Sequence, residues 1–147
     1  MEFLSKSVEE TKKIAADFAN FLEIKHEEDR ATIVGLYGEL GAGKTTFMKY
    51  LAESFGITET IQSPTFVIEK IYELRNKNFK HLIHIDAYRI EKEAEMLNLG
   101  WREIIADPKN LICIEWPERI LSLLPPHIVL RFEHEETGEN QRKIGIA

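Results

Sequence analysis

Gly38-Glu39-Leu40-Gly41-Ala42-Gly43-Lys44-Thr45 satisfies the pattern G-x-x-x-x-G-K-[ST] at every fixed position. The flanks supply the context that such a loop needs. Residues 31–37 (ATIVGLY) form a short apolar run with the character of a buried strand. Residues 44–55 carry Phe47, Tyr50, Leu51 and Phe55 at helical spacing, and Gly56 is a natural stop. Strand, glycine loop and helix together read as a phosphate-binding loop. Glycine permits backbone angles that turn successive N–H groups inward around an anion. The helix that follows aims its positive end at the same place. Lys44 then offers a mobile cation to the β- and γ-phosphates, and the Thr45 hydroxyl is a hard oxygen ligand for Mg²⁺. The reading is a nucleotide site for ATP with Mg²⁺, built from Gly38, Glu39, Leu40, Gly41, Ala42, Gly43, Lys44, Thr45 and Thr46.

Such a loop needs a carboxylate from a second strand on the metal side. Leu111-Ile112-Cys113-Ile114-Glu115 has the expected form, four apolar residues and then an acid. Leu82-Ile83-His84-Ile85-Asp86 is similar but interrupted by a histidine. Glu115 is therefore preferred for the metal, and Asp86 for orienting the attacking water or gating the site. His84 and Asp86 share one strand face. Half a ligand set is weak support for a metal pair, so His84 reads as a hydrogen-bonded structural residue. Ser63-Pro64-Thr65-Phe66 follows the loop helix. By itself it is a turn signal, but in this setting it can bring a hydroxyl near the γ-phosphate. Trp116 is read either as core packing or as a contact surface.

The rest of the chain fits one α/β domain spanning residues 1–147. Ser7 and Glu10 have capping-box spacing, and Val8, Thr11, Ala15, Phe18 and Leu22 recur with helical period. Residues 66–74 and 80–86, joined by a polar turn, predict an antiparallel hairpin. Residues 128–132 and 142–146 predict another. A helix is expected over 91–99, a further helical turn over 101–106 and a short helix over 118–124. The sheet is expected to be mixed, parallel at the nucleotide site and antiparallel at its edges, in a P-loop NTPase fold.

Composition narrows the function. The net charge of −6 opposes strong stand-alone binding to nucleic acid. A lone cysteine, Cys113, builds neither a disulfide framework nor a cysteine-rich metal site. No apolar run approaches the roughly 18 residues of a membrane span, and the first ten residues lack a signal-peptide core. The expected location is the cytoplasm.

Several of these stretches occur together in one family. Residues 38–46, Ser63-Pro-Thr-Phe66, His84-Ile-Asp-Ala-Tyr-Arg89, the segment 97–100 and Glu115-Trp-Pro-Glu118 follow one another at family-like spacing. In this the sequence resembles the TsaE (YjeE) family, bacterial ATPases of tRNA threonylcarbamoyladenosine biosynthesis. The resemblance implies an ATP-hydrolysing subunit that supports turnover of a complex of TsaD-like and TsaB-like proteins. It would meet tRNA only through them. It also implies that Lys44 and Thr45 hold phosphate and Mg²⁺, that Glu115 is the metal-side carboxylate, and that Thr65 lies in a switch-like loop. Asp86 lies on the matching strand end, and Trp116 neighbours the nucleotide or the partner. Nucleotide contacts from Ser7 and Arg142 follow from the same resemblance. Phe66, where tyrosine is common, and a slightly long turn at 75–79 are small departures. Two rivals remain: a small-molecule kinase in which Asp86 deprotonates an acceptor, and a nucleotide-sensing adaptor that barely hydrolyses. Against the kinase, no segment has several arginines at lid-like spacing.

Overall fold

The structure, a computed structural model, describes residues 2–39, 43–59, 69–134 and 142–147. In chain order the elements are β1 (Glu2–Ser5), α1 (Val8–Ile24), β2 (Thr32–Tyr37), α2 (Lys44–Ser54), β3 (Glu69–Glu73) and β4 (His81–Asp86). They continue with α3 (Ala94–Asn98), α4 (Trp101–Ala106), β5 (Asn110–Glu115), a 3₁₀ helix (Pro117–Leu123), β6 (Ile128–His134) and β7 (Arg142–Ile146). The strands form one sheet in the order β1-β7-β6-β2-β5-β4-β3. The central pairs β6/β2, β2/β5 and β5/β4 are parallel, and the outer pairs are antiparallel. The mixed sheet expected from the sequence is present.

Strand period explains the two cores. Alternate residues of the central strands point to opposite faces. Val34, Leu36, Leu82, Leu111 and Cys113 pack with Phe18, Leu22, Phe47 and Leu51 from α1 and α2. Ile33, Ile83, Ile85, Ile112 and Ile114 face the other way, onto Met96, Trp101 and Ile120. Strands buried on both faces need apolar residues at consecutive positions, hence the runs that marked β2 and β5 in the sequence.

The caps behave as their residues dictate. Ser7 is the N-cap of α1, and its hydroxyl accepts from the Glu10 N–H at 3.1 Å. The Glu10 carboxylate accepts in return from the Lys6 N–H at 2.7 Å, one residue before the usual capping-box donor. Gly56 ends α2 at φ +85°. In the turn between β3 and β4, Asn76 Oδ1 accepts from the N–H groups of Asn78 and Phe79 at 2.9 and 3.1 Å.

Some local expectations shift. Val8, expected on the inward face of α1, is 52% exposed. The helix expected from residue 91 starts at Ala94. The Glu95 carboxylate accepts from the N–H groups of Glu91 and Lys92, which lie ahead of the helix rather than within it. The helix expected over 118–124 is a 3₁₀ helix starting at Pro117. The strand β1 has no counterpart in the sequence reading. Its four residues carry too little pattern, and it exists through antiparallel pairing with β7. Among the described residues, no helix is long and apolar enough to cross a membrane.

Candidate nucleotide site

The site gathers at the C-terminal ends of β2, β4 and β5. Gly38 closes β2 at φ +150°, and a Cβ there would lie 2.6 Å from the Phe132 carbonyl oxygen on β6. The chain approaches β6 more closely than a side chain allows, so the position requires glycine. Gly43 precedes α2 at φ +97°. Leu40, Gly41 and Ala42 lie outside the described residues, so the inward-facing amides expected of them belong with the sequence argument.

Lys44 is the first residue of α2 and is only 5% exposed. Its ammonium donates to the Gly38 carbonyl at 2.6 Å and lies 4.0 Å from the centroid of the Trp116 ring. The cation is thus held by its own loop and by an aromatic face. Burial lowers its pKa, while Glu115, Glu118 and Asp86 act in the opposite direction. Three carboxylates therefore act electrostatically on one ammonium. Glu118 is a member that the sequence reading passed over as part of a motif without a role.

Trp116 has φ +59°, the one positive φ outside glycine among the described residues. Such a conformation costs on the order of 1–3 kcal/mol and persists where surroundings impose it. Here it carries the indole off the end of β5 and over Lys44. The ring also meets Tyr88, with centroids 5.0 Å apart. Both sequence alternatives for Trp116 gave it no such part in holding the lysine.

Asp86 and Glu115 are register partners on adjacent parallel strands, so both side chains leave the same face of the sheet. Asp86 is partly exposed, and its Oδ1 accepts from the Tyr88 N–H at 3.0 Å. Its pKa is raised chiefly by burial, and Glu115 adds to the effect. The Tyr88 N–H, His84 and Lys44 act against it. Glu115 is 3% exposed, and its Oε2 lies 2.7 Å from His84 Nε2. His84 is fully buried, as the structural reading of that residue expected.

The raised Asp86 pKa has a consequence for stability. The folded chain keeps a proton on Asp86 at pH values where the unfolded chain has lost it. Stability is therefore lost as pH rises from the ordinary carboxylate value through the folded one. Asp86→Asn is accordingly expected to raise the melting temperature of the ligand-free chain at neutral pH, by a few degrees. The difference from the parent should shrink as the pH falls below the ordinary aspartate range. Thermal melts of both chains from pH 3 to 8 measure this, and an unchanged or lower melting temperature at neutral pH would contradict it.

Beside the loop lies a cleft lined by Ser7, Val8, Thr11, Gly43, Thr46, Phe132 and Ile144. Ser7 therefore stands next to the start of α2, although nearly 40 residues separate them in sequence. The pairing of β1 with β7 brings it there. Arg142 opens β7 opposite Ser5, and its side chain is outside the described set. Thr45, Thr46 and Glu39 are exposed around the mouth. Thr65, with the rest of residues 60–68, lies outside the described residues.

The oxygen groups present fit a hard divalent cation. Two carboxylates and a threonine hydroxyl suit Mg²⁺, which commonly takes one or two protein carboxylates together with phosphate oxygens.

The chain is similar to known proteins along most of its length. The family described as Threonylcarbamoyl adenosine biosynthesis protein TsaE matches residues 5–144. The tRNA threonylcarbamoyladenosine biosynthesis protein TsaE of Bacillus subtilis (strain 168) is 38% identical over 136 residues, covering 92% of this chain and 78% of that protein. The TsaE protein of Aquifex aeolicus (strain VF5) is 34% identical over 147 residues, covering 99% of this chain and 94% of that one. Among solved structures, the crystal structure of Bacillus subtilis YdiB superimposes with a TM-score of 0.72 at 31% identity. It covers 98% of this chain and 82% of the other.

Proposed function

This chain belongs to the TsaE family of threonylcarbamoyl adenosine biosynthesis proteins, and on that premise we propose that it is an ATP-binding and hydrolysing subunit of the tRNA threonylcarbamoyladenosine machinery. The observation that carries the reading is the position of Lys44. A buried ammonium stands at the head of α2, between the Gly38 carbonyl and two adjacent strand-end carboxylates. This position supports the reading of a P-loop NTPase fold.

In this reading the loop from Gly38 to Thr46 binds the β- and γ-phosphates. Lys44 exchanges the Gly38 carbonyl for a phosphate oxygen. The buried setting strengthens that contact, because the ammonium has little water to give up. Thr45 and Glu115 would hold Mg²⁺, which would supply positive charge to the phosphate oxygens. Asp86 accepts a hydrogen bond from the attacking water and aims it in line. Its partial burial keeps its basicity above that of an ordinary aspartate. The cleft beside Ser7 and Thr46 receives the base or ribose, and Arg142, at the start of β7, is a further nucleotide contact in this reading. Thr65 supplies a hydroxyl near the γ-phosphate.

Thr45 is exposed and Asp86 half-buried, and on this reading hydrolysis by the chain alone is slow. A partner of the TsaD and TsaB type closes the site, near Trp116. Phosphate release from ATP, titrated with a TsaD–TsaB pair, tests the assignment. A rise with partner concentration is expected, and Trp116→Ala and Thr65→Ala should reduce the rise more than they reduce nucleotide binding. A phosphorylated metabolite in place of free phosphate would instead mark a kinase. Nucleotide binding without phosphate release, partner or not, would mark an adaptor.

A further inference from the structure

The strands β4 and β5 read Leu82-Ile83-His84-Ile85 and Leu111-Ile112-Cys113-Ile114. Every interior position is apolar except one. His84 occupies a site whose register partner is Cys113, in a sheet buried on both faces. An aliphatic side chain would satisfy packing there. Instead the imidazole is fully buried, and its Nε2 lies 2.7 Å from Glu115 Oε2. The other ring nitrogen, Nδ1, is buried with no hydrogen-bond partner among the described residues. A buried N–H without an acceptor is costly, so the ring proton belongs on Nε2, where it is donated to the carboxylate.

Stability does not account for this pair. Replacing a buried polar pair with apolar residues of similar volume is often neutral or favourable. Here one ring nitrogen is left unsatisfied as well. What the pair does provide is orientation. A glutamate side chain has three rotatable bonds, whereas Mg²⁺ demands near-ideal octahedral geometry. A fixed donor on one carboxylate oxygen removes most of that freedom.

We infer that His84 is a positioning residue: its Nε2–H fixes the rotamer of Glu115 so that the carboxylate is pre-set for the metal of a metal–nucleotide complex. The inference rests on the ATP–Mg²⁺ reading given above. It assigns to the H-x-D segment a division of labour, with Asp86 facing the reacting water and His84 acting only through its neighbour on β5.

The test compares three variants by calorimetric titration with a non-hydrolysable ATP analogue, once with Mg²⁺ and once in EDTA. Mn²⁺ binding in the presence of the analogue is followed by electron paramagnetic resonance. His84→Gln places an amide N–H near the position of Nε2. His84→Asn has the same chemistry with too short a reach, and His84→Leu has no donor. The Mg²⁺-dependent gain in affinity, and Mn²⁺ affinity with it, should fall about 10–100-fold in His84→Leu and His84→Asn. In His84→Gln it should stay within a few-fold of the parent. Affinity in EDTA should be the same in all four chains.

The Gln and Asn variants differ by one methylene, so their comparison stands even if His84→Leu does not fold. Equal losses in Gln and Asn, or equal losses with and without metal, would make His84 a packing residue and overturn the inference. So would Asn and Leu variants that bind Mg²⁺-nucleotide like the parent. A parent chain that binds the analogue under neither condition would overturn the nucleotide reading itself.

Discussion

Lys44→Ala is expected to weaken ATP binding by about 1.5–3 kcal/mol, roughly 10- to 150-fold, through the loss of a charge-assisted contact to phosphate. Hydrolysis should fall further, by on the order of 10²–10³-fold, because charge on the transferring phosphoryl group is met most strongly in the transition state. Calorimetry and phosphate release measure the two losses separately. The alanine also removes a buried stem, since Lys44 is 5% exposed and packed beneath Trp116. Lys44→Met restores the apolar length without the charge. If the loss is electrostatic, Met and Ala behave alike in binding, and Met melts nearer the parent. A methionine variant that binds and hydrolyses like the parent would remove Lys44 from the phosphate site.

The second large effect separates the two strand-end carboxylates. Glu115→Gln is expected to lose most of the Mg²⁺-dependent affinity for nucleotide, because the metal-side oxygen charge is gone and the His84 contact is disturbed. Asp86→Asn is expected to bind Mg²⁺-nucleotide within a few-fold of the parent while hydrolysing it on the order of 10²–10⁴-fold more slowly. A group that orients water acts in the transition state more than in the ground state. Single-turnover hydrolysis with calorimetry on both variants gives the answer. If the phenotypes are exchanged, Asp86 is the metal-side group and Glu115 the water-side one. The two occupy paired positions on adjacent strands, so the exchange needs no change in fold.

Asp86→Asn joins both kinds of prediction. The same burial that raises the carboxyl pKa makes the ionised side chain unfavourable for folding. A variant that melts higher and hydrolyses less is the expected signature of a site whose strain serves its chemistry.

The sequence by itself determined the strand before the glycine loop and the helix after it, together with the segments that became β4 and β5. These are local signals. Glycine spacing, a strand-length apolar run and a helical period each act within a few residues, and all three agree between positions 31 and 56. Two strand-end acids were also legible, because a carboxylate after four or five mostly apolar residues has no place in a buried strand. What the sequence left open was non-local. The strand β1 and the cleft at Ser7 arise only when four weakly patterned residues pair with β7 at the far end of the chain. The pairing of His84 with Glu115 depends on the register of β4 against β5, which no spacing along the chain encodes. The place of Trp116 over Lys44 depends on a left-handed backbone conformation just before Pro117. Proline restricts its preceding residue and disfavours the right-handed helical region, but does not choose this conformation. The surrounding structure imposes it, because the chain must leave the buried end of β5 and enter a 3₁₀ helix on the other face of the sheet.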